Sequence, residues 1–255
     1  MATSAEDELI QQLIANGAQV RRTSESSLEV VANDTTYQVS LDNFTRRIGM
    51  GDAVEHIVAD FVRTLLTPPP KIEGNAATTG LRLMLEQASV VEQSNTLAKT
   101  LSAEVVATVV WVDAAESRIR FVMPHHLAEW GLATDRAWSE AGMNMDELVR
   151  QTPIEVMDAN GLLLGMLSTP SVSKASLLLA PRLRDFVPAQ IGWPLLAVAP
   201  CRDFVYLLSE TSRDQLGRMG PVVMREFTRS AYPLSPEVWR VSDDGLRSIG
   251  SFQPK

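Results

Sequence analysis

At 255 residues the chain exceeds the usual single domain of roughly 100–200 residues, so one large or two unequal domains are expected. Hydrophobic residues at 45% and charged residues at 21% are ordinary for a folded protein and exclude a disordered chain or a coiled coil. The net charge of -8 disfavours general attraction to phosphate backbones, the single cysteine excludes an internal disulfide and a thiol metal cluster, and no apolar run approaches the ~20 residues of a membrane helix.

The first residues, MATSAEDELIQQL, are acidic where a signal peptide is basic and then apolar, so a cytoplasmic location is expected. Residues 4–16 read as a helix with Leu9, Ile10, Leu13 and Ile14 on one face, acidic residues at its positive end and Gly17 as its stop. Three β-prone runs, 18–22, 28–31 and 37–41, are separated by turn chemistry and predict an antiparallel meander. Residues 52–66 carry the clearest helical stripe, from Val54 through Phe61 to Leu66, with Asp52 and Glu55 as an expected capping box. The stretch 68–80, PPPKIEGNAATTG, has the composition of a linker. The expected organisation is therefore an N-terminal α+β module over 1–67, a linker over 68–80 and a main domain over 81–255.

In the main domain the patterns predict a helix over 81–89, a hairpin from 104–113 and 118–123, and a helix capped by Thr134 that runs to Arg150. Strands are expected at 162–167, 174–179, 193–199 and 204–208. A capping box at Ser212 and Gln215 predicts a helix to Phe227, kinked at Gly220-Pro221. Asp243-Asp244-Gly245 predicts a closing hairpin between 238–241 and 246–249. The expected fold class is α+β, a helix-meander-helix module beside a larger mixed or antiparallel sheet with helices packed on one face.

Candidate chemistry centres on Pro200-Cys201-Arg202-Asp203, a polar elbow between two apolar runs. Arg202 can present paired donors to an anion while Asp203 orients it, or both can satisfy loop backbone and neighbouring side chains. Cys201 would need a base to act as a nucleophile, and the chain has only His56, His125 and His126; a packing role is the simpler reading. In an extended strand end the side chains of His125 and His126 would point to opposite faces, which argues against a shared metal ion. His56 reads as a surface partner of Asp60 on its helix. Asp113, Glu116, Asp158, Asp243 and Asp244 fit turn chemistry, no serine sits in a Gly-x-Ser-x-Gly elbow, and Gly161-Leu-Leu-Leu-Gly165 lacks the lysine of a phosphate loop. No cofactor and no metal site is expected. Charge is uneven: residues 1–180 hold 13 Lys or Arg against 23 Asp or Glu, and 181–255 hold 10 against 8. Arg182, Arg184, Arg202, Arg213, Arg218, Arg225 and Arg229 can therefore form a basic face or simply solvated surface. Trp111, Trp130, Trp138 and Trp193 read as core or interface anchors.

Several stretches occur in a familiar order: VSLDNFTRRI (39–48) before AVEHIVADFVRTLL, then RIRFVM, GLATDRAWSEAGMNM (131–145), KASLLL (174–179) and LAVAPCRDFVYLLSE (196–210). Together they resemble the YtpQ-like group of bacterial cytosolic proteins, a family known as a domain of unknown function. Its proline, variable residue and Arg-Asp between two apolar strands is matched by Pro200, Arg202 and Asp203, and Asn144 also fits. The family often has a small residue where Cys201 stands, which speaks against a shared catalytic thiol. The resemblance implies an α+β bacterial protein without an assigned activity. Three readings of function follow: a non-enzymatic interaction or adaptor protein that binds a partner through a sheet edge or an apolar helix face; an enzyme or binding protein for a small anionic metabolite with Arg202 and Asp203 at the pocket mouth; and RNA binding through the C-terminal arginines, which the overall charge disfavours.

Overall fold

The computed structural model describes residues 4–24, 27–33, 35–49, 51–67, 72, 75–92, 95–113, 118–168, 173–230 and 232–253. The fold is α+β. The chain divides into two compact units, Met1–Lys71 with Arg229–Tyr232, and Ile72–Thr228 with Pro233–Lys255.

The first unit opens with helix α1 (Ala5–Ala15), started by a reciprocal cap in which Ser4 Oγ accepts from Asp7 N at 3.1 Å and Asp7 accepts from Ser4 N at 3.3 Å. Strands β1 (Gln19–Ser24), β2 (Ser27–Ala32) and β3 (Thr35–Ser40) form the expected meander with β2 central. Leu28, Val30 and Ala32 alternate into the core, as period-two patterning requires. Residues of the 39–48 stretch form helix α2 (Leu41–Gly49), which no expectation covered, with Leu41 and Phe44 buried at a spacing of three. Helix α3 (Val54–Leu66) buries Ile57, Val58 and Leu65, and Phe61 meets Phe44 edge to face at 5.4 Å. The expected Asp52 cap is not made: Ala53 is the N-cap without a side-chain bond, and Asp52 instead accepts from Arg47 Nε at 3.3 Å.

The second unit contains α4 (Asn75–Thr79), β4 (Leu81–Gln87), α5 (Ala88–Val91), β5 (Ala98–Thr100), β6 (Val105–Asp113), β7 (Arg118–Phe121), α6 (Pro124–Glu129), α7 (Thr134–Arg150), β8 (Ile154–Asp158) and β9 (Leu163–Leu167). It continues through 3₁₀ segments Lys174–Leu179 and Leu183–Phe186, β10 (Leu195–Cys201), β11 (Phe204–Ser209), the 3₁₀ segment Glu210–Met219, α8 (Gly220–Arg229), β12 (Glu237–Ser242) and β13 (Gly245–Ser251). All strand pairs are antiparallel. One sheet has β6 paired to β4, β5 and β7; the other has six strands in the order β13-β12-β10-β11-β9-β8. Their common core joins Leu81, Leu83 and Leu85 of β4 to Ala137, Ala141, Met145 and Val149 of α7 and to Leu195, Ala197, Leu207, Trp239 and Val241 of the six-stranded sheet. Each fully buried leucine, valine or methionine side chain there stabilises the fold by about 1.5–3 kcal/mol. The opposite face of that sheet, including Leu164, Leu196, Val198 and Leu208, packs on Met219 and Val223. No helix among the described residues is long and apolar enough to cross a membrane.

Several local expectations are overturned. Residues 81–87 form a strand instead of a helix, because Leu81, Leu83 and Leu85 alternate inward along a continuous ladder with β6. KASLLL is a 3₁₀ segment instead of a strand, with Ala175, Ser176, Leu177 and Leu178 all buried; a short apolar run lacks the period that separates the two. Pro221 begins α8 instead of kinking a longer helix, since its missing N–H is not needed in the first turn. The cap ahead of the preceding segment is Ser209, whose Oγ accepts from Thr211 N at 3.3 Å, and Thr134 makes no cap bond. Within the stretch read as a linker, Asn75–Thr79 is helical, and 68–71 and 73–74 lie outside the described residues.

Candidate functional site

Arg202 and Asp203 are the two turn residues of the β10–β11 hairpin, since Cys201 pairs with Phe204. Pro200 sits where the ladder register shifts, a position that tolerates a missing N–H, and its carbonyl accepts from Leu234 N at 2.8 Å. The Arg202 carbonyl accepts from Ala175 N at 2.9 Å, while its guanidinium pairs with the carboxylate of Glu86 on β4. Glu86 is buried, at 3% side-chain exposure against 18% for Arg202. The same strand is held along its outer edge, where Leu85 N donates to Ser176 Oγ at 3.0 Å, and at its start, where Asn144 Nδ2 donates to the carbonyls of Thr78 and Leu81 at 2.8 and 2.9 Å. Asn144 and Arg202 thus clamp opposite ends of β4. An anion approaching Arg202 would have to compete with a carboxylate already paired to the guanidinium and itself buried.

Asp203 is exposed as a residue, yet partial burial of its carboxyl raises its pKa above the ordinary aspartate value, against the opposing pull of Lys174 and Arg202. A raised carboxyl pKa means that the folded state holds the proton more tightly than the unfolded chain. Its contribution is therefore complete below the ordinary value and lost as pH rises through the folded one. Asp203→Asn is expected to raise the urea midpoint at pH 7, with no such advantage near pH 3. Urea midpoints of both proteins at the two pH values check this.

A second buried carboxylate, Glu237 on β12, was not foreseen. It accepts from Ser102 Oγ at 2.8 Å, Ser235 Oγ at 2.9 Å and Ser248 Oγ at 2.7 Å. Hydroxyl donors from three separate segments meet there, a convergence that no sequence spacing announces, and they satisfy both carboxylate oxygens.

Cys201 is buried, as a packing group would be. The expectation for the histidine pair is corrected: His125 and His126 lie in α6, not at a strand end, with ring centroids 4.1 Å apart. His126 Nδ1 accepts from Met123 N at 3.2 Å and its ring stacks on Trp130 at 5.7 Å. Its pKa is pushed down chiefly by burial, then by His125 and Arg120, with Glu129 opposing. No group of three His, Cys, Asp or Glu residues suited to a metal ion occurs among the described residues. His56 lines an open cleft of about 440 Å³ with Arg47, Asp52 and Asp60, and the partners of Asp60 there are arginines, Arg47 at 3.5 Å and Arg63 at 2.8 Å. These pairs neutralise one another at the surface.

The C-terminal arginines are largely engaged within the fold. Arg182 pairs with Asp185, Arg184 with Asp243 and Arg225 with Glu226, while Arg218 donates to the carbonyls of Ala159 and Asn160. Trp111, Trp130, Trp138 and Trp193 border the main core, as anchors should. Trp111 donates to Ala76 O and Trp193 to Asp243, and Lys99 lies 4.1 Å over Trp138.

The remaining feature is the edge strand β8, which no expectation covered, although Asn160-Gly161 is a strong two-residue hairpin signal. Both residues take positive φ, +57° and +81°, as a type I′ turn requires, and Ala159 and Leu162 exchange hydrogen bonds at 2.9 and 3.4 Å. At the other end Ser168 N donates to Pro153 O at 3.0 Å. Antiparallel pairs alternate between bonded and unbonded. Bonded pairs at Pro153 and Ala159 therefore place Glu155 and Met157 in bonded pairs with β9 and turn the N–H and C=O groups of Ile154, Val156 and Asp158 outward. Among the described residues none bonds those outward groups. Ile154 and Val156 pack against the main core, and Met157 is 41% exposed.

No protein-family model, no curated protein and no solved structure matches the chain.

Proposed function

We propose that this chain is a protein-interaction module without catalytic chemistry of its own, receiving an extended polypeptide segment along β8. The observation that carries the reading is the open backbone edge of β8, where Ile154, Val156 and Asp158 turn their N–H and C=O groups outward. The other edges of the second unit show the devices by which natural sheets avoid pairing. β13 has a register shift opposite Val238 and Trp239 and the exposed Arg247, β5 carries Lys99, β7 carries Arg120, and β4 is covered by the Lys174–Leu179 segment. β8, Ile-Glu-Val-Met-Asp, has no lysine, arginine or proline and no register shift, and its charges are the acidic Glu155 and Asp158 alone. An added strand would take up the outward backbone groups and extend the core beyond Ile154 and Val156. The resemblance to the YtpQ-like group supports placing this activity in a bacterial cytosol.

A photo-reactive residue in place of Glu155, introduced in living cells, tests the reading. The expected result is a crosslink to a polypeptide that disappears when Val156→Pro removes an outward N–H without touching the β9 ladder. Crosslinks unchanged by Val156→Pro, or none at all, would refute it.

A further inference from the structure

We infer that the segment received by β8 is a basic one, an extended strand of another polypeptide in which a Lys or Arg between two apolar residues stands opposite Glu155 and a second Lys or Arg stands opposite Asp158. The inference rests on the interaction reading above and deepens it by naming the chemistry of the partner.

Charge sorts the edges of the second unit. β13 carries Arg247, β5 carries Lys99 and β7 carries Arg120, and none of these three strands has an acidic residue. β8 has the reverse character, with Glu155 and Asp158 and no basic residue, and its neighbour β9, Leu-Leu-Gly-Met-Leu, is uncharged. Like charges directly opposite each other on paired strands are destabilising, and unlike charges are favourable. A strand bearing Lys or Arg is therefore turned away from three edges and accepted at one. Specificity of this kind is a difference of affinities, built from repulsion at the wrong edges as much as from attraction at the right one. The same carboxylates repel an acidic strand, and a second copy of β8 would bring acidic residues to acidic ones.

The parity of the hairpin sets the order of side chains on the added strand. Its residues beside Ile154 and Val156 share the face that packs on the main core, so apolar side chains there extend that core. The residue between them lies on the other face beside the exposed Glu155, where a basic side chain completes an ion pair. Asp158 accepts from Gly161 N at 2.5 Å, which holds its carboxylate at the end of the edge. Neither Glu155 nor Asp158 has a Lys or Arg partner among the described residues, so both can take one from outside. The net charge of -8 adds attraction at longer range.

The peptide acetyl-Lys-Thr-Val-Lys-Val-Thr-Lys-amide carries this order in either chain direction, and the same peptide with Glu at its three Lys positions is the control. Titration of each into the full chain, followed by NMR of the 154–158 amides, supplies the test. The expected result is a Kd for the Lys peptide below about 1 mM, the weak end of specific association, about three-fold or more tighter than for the Glu peptide and weakened by added salt. Glu155→Lys, at an exposed position that leaves the fold intact, is expected to reverse the preference, and Val156→Pro to abolish binding of both peptides. Equal affinity for the two peptides, or a preference for the Lys peptide unchanged by Glu155→Lys, overturns the inference. Lys-peptide binding that Val156→Pro leaves untouched also overturns it, because the peptide then sits elsewhere on the acidic surface. If neither peptide binds, or if residue 155 crosslinks to a second copy or to a segment without Lys or Arg, the inference falls. A crosslink sensitive to Val156→Pro then keeps the interaction reading standing without it, and the absence of any crosslink removes both.

Discussion

Arg202→Met is expected to lower the unfolding free energy by about 3–5 kcal/mol, the usual cost of removing one partner of a buried ion pair. The loss arises less from the missing attraction than from Glu86, which at 3% side-chain exposure would lose its guanidinium partner and keep Gln87 N as a donor at 2.9 Å. A double replacement, Arg202→Met with Glu86→Leu, removes both charges and is expected to recover most of the loss, because neither desolvated group is left alone. Urea unfolding at pH 7 of the two single variants and the double variant completes a cycle that isolates the pairing energy. The result also bears on function. If Arg202→Met costs under about 1 kcal/mol, the guanidinium is not the counter-ion that Glu86 depends on, and its availability to an anionic ligand returns.

Gly80→Ala is expected to cost about 2–4 kcal/mol, as an overpacked core does when a rigid neighbour must move and a hydrogen bond is lost. A Cβ on Gly80 would stand 2.5 Å from Cε2 and 2.6 Å from Cδ1 of Trp111, and closer still to Nε1. The indole cannot swing away without breaking its 3.0 Å bond to Ala76 O and disturbing its contact with the main core. Gly80 also begins the approach to β4, its carbonyl accepting from Val112 N at 2.9 Å, so the backbone has little freedom to yield. Thermal unfolding together with tryptophan emission checks this; an unshifted midpoint with unchanged emission would mean that the ring has room.

These two sites belong to one arrangement. β4 is held at its start by Asn144 and by the close contact of Gly80 with Trp111, along its edge by Ser176, and near its end by Arg202. Asn144, Ser176 and Arg202, separated from their partners on β4 by 63, 91 and 116 positions, therefore converge on a single strand. The Arg-Asp elbow, which as a sequence feature invites a ligand, has the geometry of a clasp between the hairpin and that strand.

Much of the secondary structure was legible in residue order alone. The stripes of α1, α3 and α7, the meander of β1 to β3 and the hairpin of β12 and β13 follow from hydrophobic period and turn residues, because those signals act within a few positions. The errors fell where local signals are weak. β4 and Lys174–Leu179 are short apolar runs whose conformation is set by the sheet and core around them, and α6 was hidden behind a proline that starts a helix as readily as it ends a strand. β8 went unread although Asn160-Gly161 signals it, since the left-handed turn those residues favour is local chemistry.

The residue order by itself thus determined the α+β class, the position of the Arg202-Asp203 turn and the burial of Cys201, all consequences of short-range pattern. Only the tertiary structure decided that Arg202 pairs with Glu86, that three serines surround Glu237, that His126 accepts a bond at the start of α6, and that the outward groups of Ile154, Val156 and Asp158 form an open edge. The reason is physical: charge pairing between distant segments and the exposure of an edge depend on which strands become neighbours, and that order emerges only when the whole core is packed.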